Sequence, residues 1–154
     1  MAEYSGQLAA VQRIGIVVSR YHERITSRLL DGARECCREA GIAPEAMDVV
    51  WVPGAFELGS ALAALAKTGR YDALVALGVV VRGETPHFDY VAGEAARAIG
   101  TLATDHALPI GFGLLTVDTI EQAASRAGGT AGNKGHEATE AAIRTADVIR
   151  RAAS

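Results

Sequence analysis

The apolar run over 73–81 constrains the fold of this chain more than any other stretch of its sequence. A valine-rich run of this length is typical of a strand that is buried on both faces of a parallel sheet. Immediately after it the sequence brings in a cation, a glycine, a carboxylate, a hydroxyl, a proline and a histidine, at positions 82–87. Open α/β sheets bind ligands beyond the carboxyl ends of their strands. We therefore predict a central strand that delivers polar groups into a ligand-binding crevice.

The rest of the chain alternates short apolar runs with segments of helical periodicity. The apolar runs predict three more strands, over 14–18, 47–52 and 109–116. Helical spacing predicts helices over 23–40, 55–67, 90–106, 121–126 and 134–151, the fourth of them capped by Asp118. Such alternation favours a parallel sheet with right-handed crossovers. We predict a flavodoxin-like, three-layer α/β domain over 13–154, with a four-stranded parallel sheet and helices on both faces, preceded by a polar arm over 1–12.

Composition excludes several classes of partner and location. The chain has 154 residues and a net charge of -3, which suits one domain and offers no basic surface for nucleic acid. No apolar run approaches the ~20 residues of a membrane span, and the N-terminus lacks the apolar segment of a signal peptide. The two cysteines, Cys36 and Cys37, are neighbours on a predicted helix and cannot form an ordinary disulfide. We therefore expect a cytoplasmic protein without nucleic-acid or membrane partners.

Aromatic residues make up only 5% of the sequence, and most of them fall near strand ends. Tyr21, Phe56 and Phe88 follow the first three predicted strands, and Phe112 lies within the fourth between two glycines. Rings at one edge of a sheet can stack on a planar ligand, or they can cap the edge of the core. Their shared edge favours a flat ligand.

Polar residues near the same edge suggest proton transfer and phosphate binding. His87 follows a rigid proline, and the histidine side chain is the residue type that exchanges protons near neutral pH. Gly83 lets a ligand approach the backbone, and Thr85 can hold an anion. Arg126 and Lys134 flank a glycine-rich segment at a helix start, where cations suit phosphate, although solvated helix ends show the same pattern.

Two other kinds of site are excluded on the sequence pattern. The segment 128–135 differs from a nucleotide-binding P-loop, because Asn133 precedes its lysine, Gly135 follows it and the segment joins two helices. The four histidines lack ligand-like spacing, and no cysteine or carboxylate cluster completes a metal site along the sequence. We expect neither a metal nor a cofactor.

Four segments, over 52–58, 78–91, 111–116 and 122–135, together resemble the 6,7-dimethyl-8-ribityllumazine synthase family. Their order and spacing match, and the similarity extends over about residues 11 to 151. The resemblance implies a transferase of riboflavin biosynthesis that needs no cofactor. It implies that 5-amino-6-(D-ribitylamino)uracil condenses with 3,4-dihydroxy-2-butanone 4-phosphate, with release of phosphate and water.

The same resemblance implies roles for individual residues. His87 matches the family's proton-transfer residue, Arg126 its phosphate-binding arginine and Lys134 a supporting lysine. The pyrimidine and ribityl chain are expected to contact Tyr21, Ala55, Phe56, Glu57, Val79, Val80 and Val81. The phosphate-side loop matches Gly83, Glu84 and Thr85, and two further pocket positions match Phe112, from an adjacent subunit, and Glu137. The sequence departs from common family residues at Tyr21, where Phe or Trp is usual, at His22 and at Gly59.

The resemblance also implies a homo-oligomer. The family forms pentamers with sites between adjacent subunits, and some members assemble twelve pentamers into a 60-subunit icosahedral shell. The short linker over 127–133 favours the shell, the arm is expected to pair with a neighbour or to remain flexible, and riboflavin synthase is a further expected partner.

Three alternative functions deserve comparison with this hypothesis. A non-catalytic flavin-binding or container protein would not need His87, Arg126 and Lys134. A pentameric riboflavin synthase, which dismutates two lumazines, would not need the phosphate site. A flavodoxin-like electron carrier would need a hydroxyl-rich loop after the first strand, where this chain has Ser19-Arg20-Tyr21.

Overall fold

A parallel sheet of four strands forms the middle layer of the computed structural model, which describes residues 1–9 and 11–154. The strands are β1 (Ile14–Ser19), β2 (Met47–Val52), β3 (Ala73–Val81) and β4 (Ile110–Val117), in the order β2-β1-β3-β4. The helices are α1 (Glu23–Glu39), α2 (Leu58–Lys67), α3 (His87–His106), α4 (Ile120–Ser125) and α5 (Lys134–Ala152). Two short 3-10 turns, Pro44–Ala46 and Ala55–Glu57, precede β2 and α2.

The central position of strand β3 explains why its sequence is apolar throughout. It lies between β1 and β4, and every residue from Ala73 to Val80 is buried. Leu74 and Ala76 pack in a core with α2 and α3, whereas Val75 and Leu77 pack in a second core with α1 and α5. Since both faces are covered, the pattern shows no alternation of polar residues. The predicted three-layer domain with helices on both faces is confirmed.

Helix boundaries differ from the prediction in ways that shape the ligand-binding edge. Helix α3 begins at His87 rather than at 90, directly after Pro86. The residues from Ala55 to Glu57 form a 3-10 turn, and α2 begins only at Leu58. The earlier start of α3 brings its N-terminal turn to the carboxyl end of β3.

The predicted cap of α4 by Asp118 is wrong. Thr119 caps this helix: its hydroxyl accepts the Gln122 N–H, and the Gln122 side chain accepts the Thr119 N–H, which together form a capping box. Asp118 instead accepts a hydrogen bond from Arg82 Nε at 3.0 Å. An arginine 36 residues away thus competes with the local helix terminus for this carboxylate.

A small antiparallel hairpin follows α4, where the sequence predicted only an irregular glycine-rich linker. Its strands are β5 (Ala127–Gly129) and β6 (Gly132–Asn133), and Gly128 and Gly132 adopt positive φ angles of 97° and 83°. Glycine takes such angles without steric cost. The hairpin leads directly into α5.

The N-terminal arm lies against α5 of its own chain. The Gln7 N–H donates to Asp147 Oδ2 at 2.9 Å, and Arg144 donates to the Gly6 carbonyl at 3.0 Å. The hydrogen bond from Gln7, together with Arg151 and Arg150, lowers the pKa of the Asp147 carboxyl. Among the described residues of the arm, none belongs to a helix or a strand. The division at residue 12 stays a prediction.

None of the helices in the described part of the chain combines the length and the apolar character needed to cross a bilayer.

We expect Gly135→Ala to destabilise the protein, because α1 and α5 touch at this position. A Cβ at Gly135 would lie 2.0 Å from the Leu29 carbonyl oxygen, so the backbone of one helix must move. Overpacking of this kind costs about 1–3 kcal/mol, which lowers the midpoint of thermal unfolding by roughly 2–10 °C. Gly100→Ala in α3 is the matched control, since its Cβ would meet nothing within 4 Å. Thermal melts at equal protein concentration should show a loss for Gly135→Ala only; equal melting temperatures would contradict the prediction.

Candidate functional site

A cavity of about 770 Å³ opens at the carboxyl ends of β1, β2 and β3. The Tyr21 N–H donates to the Pro53 carbonyl at 3.0 Å, which ties the loop after β1 to the end of β2. The predicted site residues that line the cavity are Tyr21, Ala55, Phe56, Glu57, Val79, Val80, Val81, Gly83, Thr85 and His87. Loops after three separate strands thus converge on the edge of the sheet that the sequence indicated.

Exposed aromatic rings give the cavity its apolar character. Tyr21 is 65% exposed and Phe56 is 57% exposed, although both are large side chains that are commonly buried. The Tyr21 and His22 rings meet edge to face with centroids 4.4 Å apart, and His22 has a positive φ of 59°. This arrangement leaves ring surface available to a planar ligand.

The loop after β3 supplies the polar end of the cavity. Gly83 has nothing within 4 Å of the position of a Cβ, so a ligand can approach its backbone closely. His87 is exposed and is the first residue of the 20-residue helix α3, and its N–H donates to Thr85 Oγ1 at 3.4 Å. A helix N-terminus carries partial positive charge and backbone N–H groups that favour anions. Glu84 belongs to this loop but lies outside the residues that line the cavity.

Arg82, the first residue of the loop after β3, contacts residues at the end of β4 and in the first turn of α3. Its guanidinium pairs with Asp118 at 3.0 Å and with Asp89 at 3.8 Å, and it stacks over the Phe88 ring at 4.5 Å from the centroid. These contacts hold the first residues of the loop against the end of β4. Arg82 therefore acts as a support for the loop in this arrangement.

Arg126 and Lys134 are neighbours, but they lie away from the cavity. The Lys134 N–H donates to the Arg126 carbonyl at 2.8 Å, across the base of the β5–β6 hairpin. The Arg126 side chain is exposed and donates to the Gln122 carbonyl at 3.0 Å. Ala123 and Ala127, on either side of it, pack in the core with α1 and α5, whereas the cavity elements α2 and α3 pack on the other face.

Phe112 and Glu137 also lie outside this cavity. Phe112 lies on the outer strand β4, opposite Ala76 of β3, and is 42% exposed. Glu137 lines a separate cavity of about 460 Å³ beside α1 and the hairpin. One chain therefore presents two sets of predicted site residues on separate surfaces.

A sequence model of the family described as 6,7-dimethyl-8-ribityllumazine synthase matches residues 11–150, which is nearly the whole chain. The chain belongs to this family. The resemblance expected from the sequence motifs is confirmed, and with it a transferase of riboflavin biosynthesis. The family match favours this hypothesis over the flavodoxin-like electron carrier.

The cavity also includes Phe88, which the sequence analysis grouped with the rings near strand ends, and three residues that it did not single out, Gly54, Tyr90 and Val91. Phe88, Tyr90 and Val91 belong to the first turn and a half of α3, which begins earlier than the periodicity indicated. Tyr90 is 74% exposed and comes three residues after the predicted site histidine His87, so the two share one face of α3; this spacing was the signal that could have identified it.

The structure brings together three side chains with metal-binding chemistry that the sequence spacing did not reveal. Cys36, Glu39 and His136 place their ligand atoms within 4.8 Å of one another where α1 and α5 pack together. Glu39 and His136 are 97 residues apart, so no sequence spacing reveals the cluster. The sequence spacing did not reveal this group of side chains, and the expectation that no metal binds stays a prediction.

Proposed function

We propose that this protein condenses 5-amino-6-(D-ribitylamino)uracil with 3,4-dihydroxy-2-butanone 4-phosphate to form 6,7-dimethyl-8-ribityllumazine. The family match carries this proposal. The cavity supports it, because exposed rings suited to a pyrimidine lie beside a polar loop at a helix N-terminus suited to a phosphate. The reaction needs no cofactor.

The proposed chemistry proceeds in three stages. The 5-amino group attacks the ketone, and loss of water gives an imine. A proton then leaves carbon as the carbon–oxygen bond to phosphate breaks, and inorganic phosphate departs. The ribitylamino nitrogen closes the ring with loss of a second water. His87 lines the cavity and is the residue that we assign to proton transfer.

The pyrimidine end of the site is assigned to the aromatic side of the cavity. Tyr21 and Phe56 offer ring surface for stacking, and Glu57 offers a carboxylate for the ribityl hydroxyls or ring N–H groups. Val79 and Val80 have buried side chains, exposed by only 1% and 8%, so they contribute backbone groups. Ala55 and Val81 complete this lining.

The phosphate end is assigned to Gly83, Glu84 and Thr85 together with Arg126 and Lys134. The last two lie outside the cavity of their own chain, and we propose that a second copy supplies them. In the proposed homo-oligomer the α4–hairpin surface of one subunit, together with Phe112 on β4 and Glu137 in the first turn of α5, completes the cavity of the next. A pentamer, its assembly into a 60-subunit shell, association with riboflavin synthase and a cytoplasmic location remain parts of this proposal.

A turnover assay tests the proposed reaction. Purified protein is mixed with the two substrates, and lumazine formation is followed by absorbance beside a reaction without enzyme, since the uncatalysed condensation also occurs. We expect clear acceleration with saturation in both substrates. A folded, assembled protein that gives only the background rate would contradict the proposal and would favour the non-catalytic binding or container alternative.

We expect Tyr21→Leu to weaken binding of the pyrimidine and to leave the phosphate substrate unaffected. Loss of an aromatic stacking contact worth about 1.4 kcal/mol raises KM for the pyrimidine roughly tenfold. Tyr21→Phe is the matched control, because it keeps the ring and removes only the hydroxyl. Initial rates over both substrate concentrations decide the question. Equal KM values for Tyr21→Leu and the unmodified protein would exclude stacking at this position.

A further inference from the structure

Three side chains with metal-binding chemistry meet where α1 and α5 pack together. The Cys36 sulfur, a Glu39 carboxylate oxygen and a His136 ring nitrogen all lie within 4.8 Å of one another. Cys36 and Glu39 are three residues apart on α1 and so share one face of that helix. His136 Nε2 lies 2.6 Å from Glu39 Oε1. This cluster lies outside the cavity assigned to the condensation.

The position of His136 is fixed before any ligand arrives. Asn133 Oδ1 accepts the His136 N–H at 3.1 Å, and Asn133 Nδ2 donates to the Arg28 carbonyl on α1 at 3.0 Å. One asparagine thus caps α5 and ties its first turn to α1. Gly32 leaves the room that this side chain occupies, since a Cβ there would lie 2.2 Å from Asn133 Oδ1. Such prior positioning reduces the entropy lost when a ligand binds.

The second nitrogen of His136 faces another carboxylate. Glu140 Oε1 lies 3.8 Å from His136 Nδ1, and Arg144 Nε donates to Glu140 at 2.8 Å. Histidines that bind metals usually direct their other ring nitrogen towards a carboxylate, a carbonyl or water, which sets the ring orientation. At 3.8 Å the Glu140 carboxylate lies beyond hydrogen-bond distance, and a small side-chain movement would let it accept from His136 Nδ1 as an outer partner of the cluster.

A negatively lined cavity borders the cluster at His136, whereas Cys36 and Glu39 are not among its lining residues. This is the cavity of about 460 Å³ beside the hairpin, and its lining includes His136 together with Asp31, Glu35 and Glu137. Three carboxylates at one opening raise the local concentration of cations. A divalent ion can therefore reach the imidazole from solvent.

We propose that Cys36 Sγ, the Glu39 carboxylate and His136 Nε2 bind a zinc ion, with water in the fourth position. A mixed set of sulfur, nitrogen and oxygen donors suits zinc, whereas magnesium and calcium prefer oxygen alone. Zinc bond lengths place tetrahedral donors roughly 3.3–3.7 Å apart, so the present separations need only small side-chain movements. The site clamps α1 to α5.

Binding of zinc displaces a proton from Cys36. Burial, with Cys37, Glu140 and Glu39 adding to it, raises the pKa of the Cys36 thiol to about 12, so the apo protein holds a thiol at neutral pH. The zinc–sulfur bond forms as the thiol proton passes to solvent, and sulfur stays at the same oxidation level. The proton shared by His136 Nε2 and Glu39 moves to His136 Nδ1, which faces Glu140, so that Nε2 and the Glu39 carboxylate are both free to bind the metal.

Metal titration of the untagged, full-length, assembled protein after chelator treatment tests the proposal. We expect one zinc per chain and, with cobalt as the probe, a near-ultraviolet charge-transfer band from a cobalt–thiolate bond. Cys36→Ala should abolish that band, and Cys37→Ala should keep it, since Cys37 is an adjacent buried thiol outside the cluster. Glu39→Gln and His136→Gln change residues that are partly exposed, and both should remove stoichiometric zinc binding.

Thermal melts give a second readout. Zinc should raise the melting temperature of the unmodified protein and of Cys37→Ala but leave Glu39→Gln and His136→Gln unchanged. Glu140→Gln should bind zinc about 10–100-fold more weakly, as loss of an outer-shell partner does. A cobalt band that persists in Cys36→Ala, or zinc stoichiometry that is equal in His136→Gln and the unmodified protein, would overturn the proposal. An unmodified protein that gains neither band nor melting temperature would overturn it too.

Discussion

Arg126→Ala should lower kcat/KM for lumazine formation by about 10²–10³-fold, the range seen when one donor to a developing anion is removed. In the proposed reaction the phosphate gains charge as it leaves, and a guanidinium can donate two parallel hydrogen bonds to it. The Arg126 side chain is exposed, and within its own chain it donates hydrogen bonds to the nearby Gln122 carbonyl and Ser125 Oγ. It can therefore turn towards a neighbouring subunit at small cost.

The kinetic pattern distinguishes a phosphate role from general damage. KM for the butanone phosphate should rise and KM for the pyrimidine should stay constant, and inhibition by inorganic phosphate should weaken. Arg70→Ala is the matched control, because Arg70 is also exposed but precedes β3 at the opposite edge of the sheet. A normal kcat/KM for Arg126→Ala in an assembled protein would exclude the assignment.

His87→Ala should cost less than Arg126→Ala in the same assay. Solvent can replace a proton-transfer group in an open cavity, and positioning of two substrates supplies much of the acceleration. His87 is exposed at the start of α3, which is consistent with access of water to the same place. An inactive His87→Ala beside a nearly normal Arg126→Ala would reverse this assignment of roles.

The sequence predicted the parts of the fold that depend on local pattern. Strand β3 was recognisable because burial on both faces removes polar residues from a run, whatever its neighbours are. The cap of α4 was readable from the sequence too, because Thr119 followed three residues later by Gln122 is a capping-box pattern, and the prediction overlooked it. What the sequence could not show is that Asp118 pairs with Arg82, which the fold brings from the end of β3.

The same distinction between local sequence pattern and tertiary packing applies to the candidate site. Loops after β1, β2 and β3 converge because parallel strands end at one edge, so Tyr21, Phe56 and His87 could be grouped from strand order alone. Arg126 could be proposed as a phosphate ligand from its motif. The distance of Arg126 from the cavity could not be predicted from the sequence, because it depends on which face of the sheet α4 covers. The Cys36 cluster depends in the same way on how α1 meets α5.

Mixed oligomers should recover activity from two inactive variants. One variant is Arg126→Ala, and the other carries Gly83→Trp with His87→Ala on the cavity side. If each site takes its cavity from one subunit and Arg126 from the next, random co-assembly of equal amounts restores about a quarter of the sites. Gly83 suits this test because a Cβ there meets nothing within 4 Å, so the bulk enters open space rather than the core. Co-expression with two different tags and purification on both isolates the mixed assemblies.

A second mixture separates a shared site from one that lies within a single chain. A subunit carrying all three changes is co-assembled with an equal amount of unmodified subunit. A site within one chain would leave about half of the sites active, whereas a shared site leaves about a quarter, because both contributing subunits must be unmodified. Variants purified separately and mixed without subunit exchange give the baseline. Recovery in the first mixture with a quarter in the second would place Arg126 across a subunit boundary. No recovery of activity in the first mixture, together with half of the sites active in the second mixture, would place Arg126 beside His87 of its own chain. That result would require the hairpin to move.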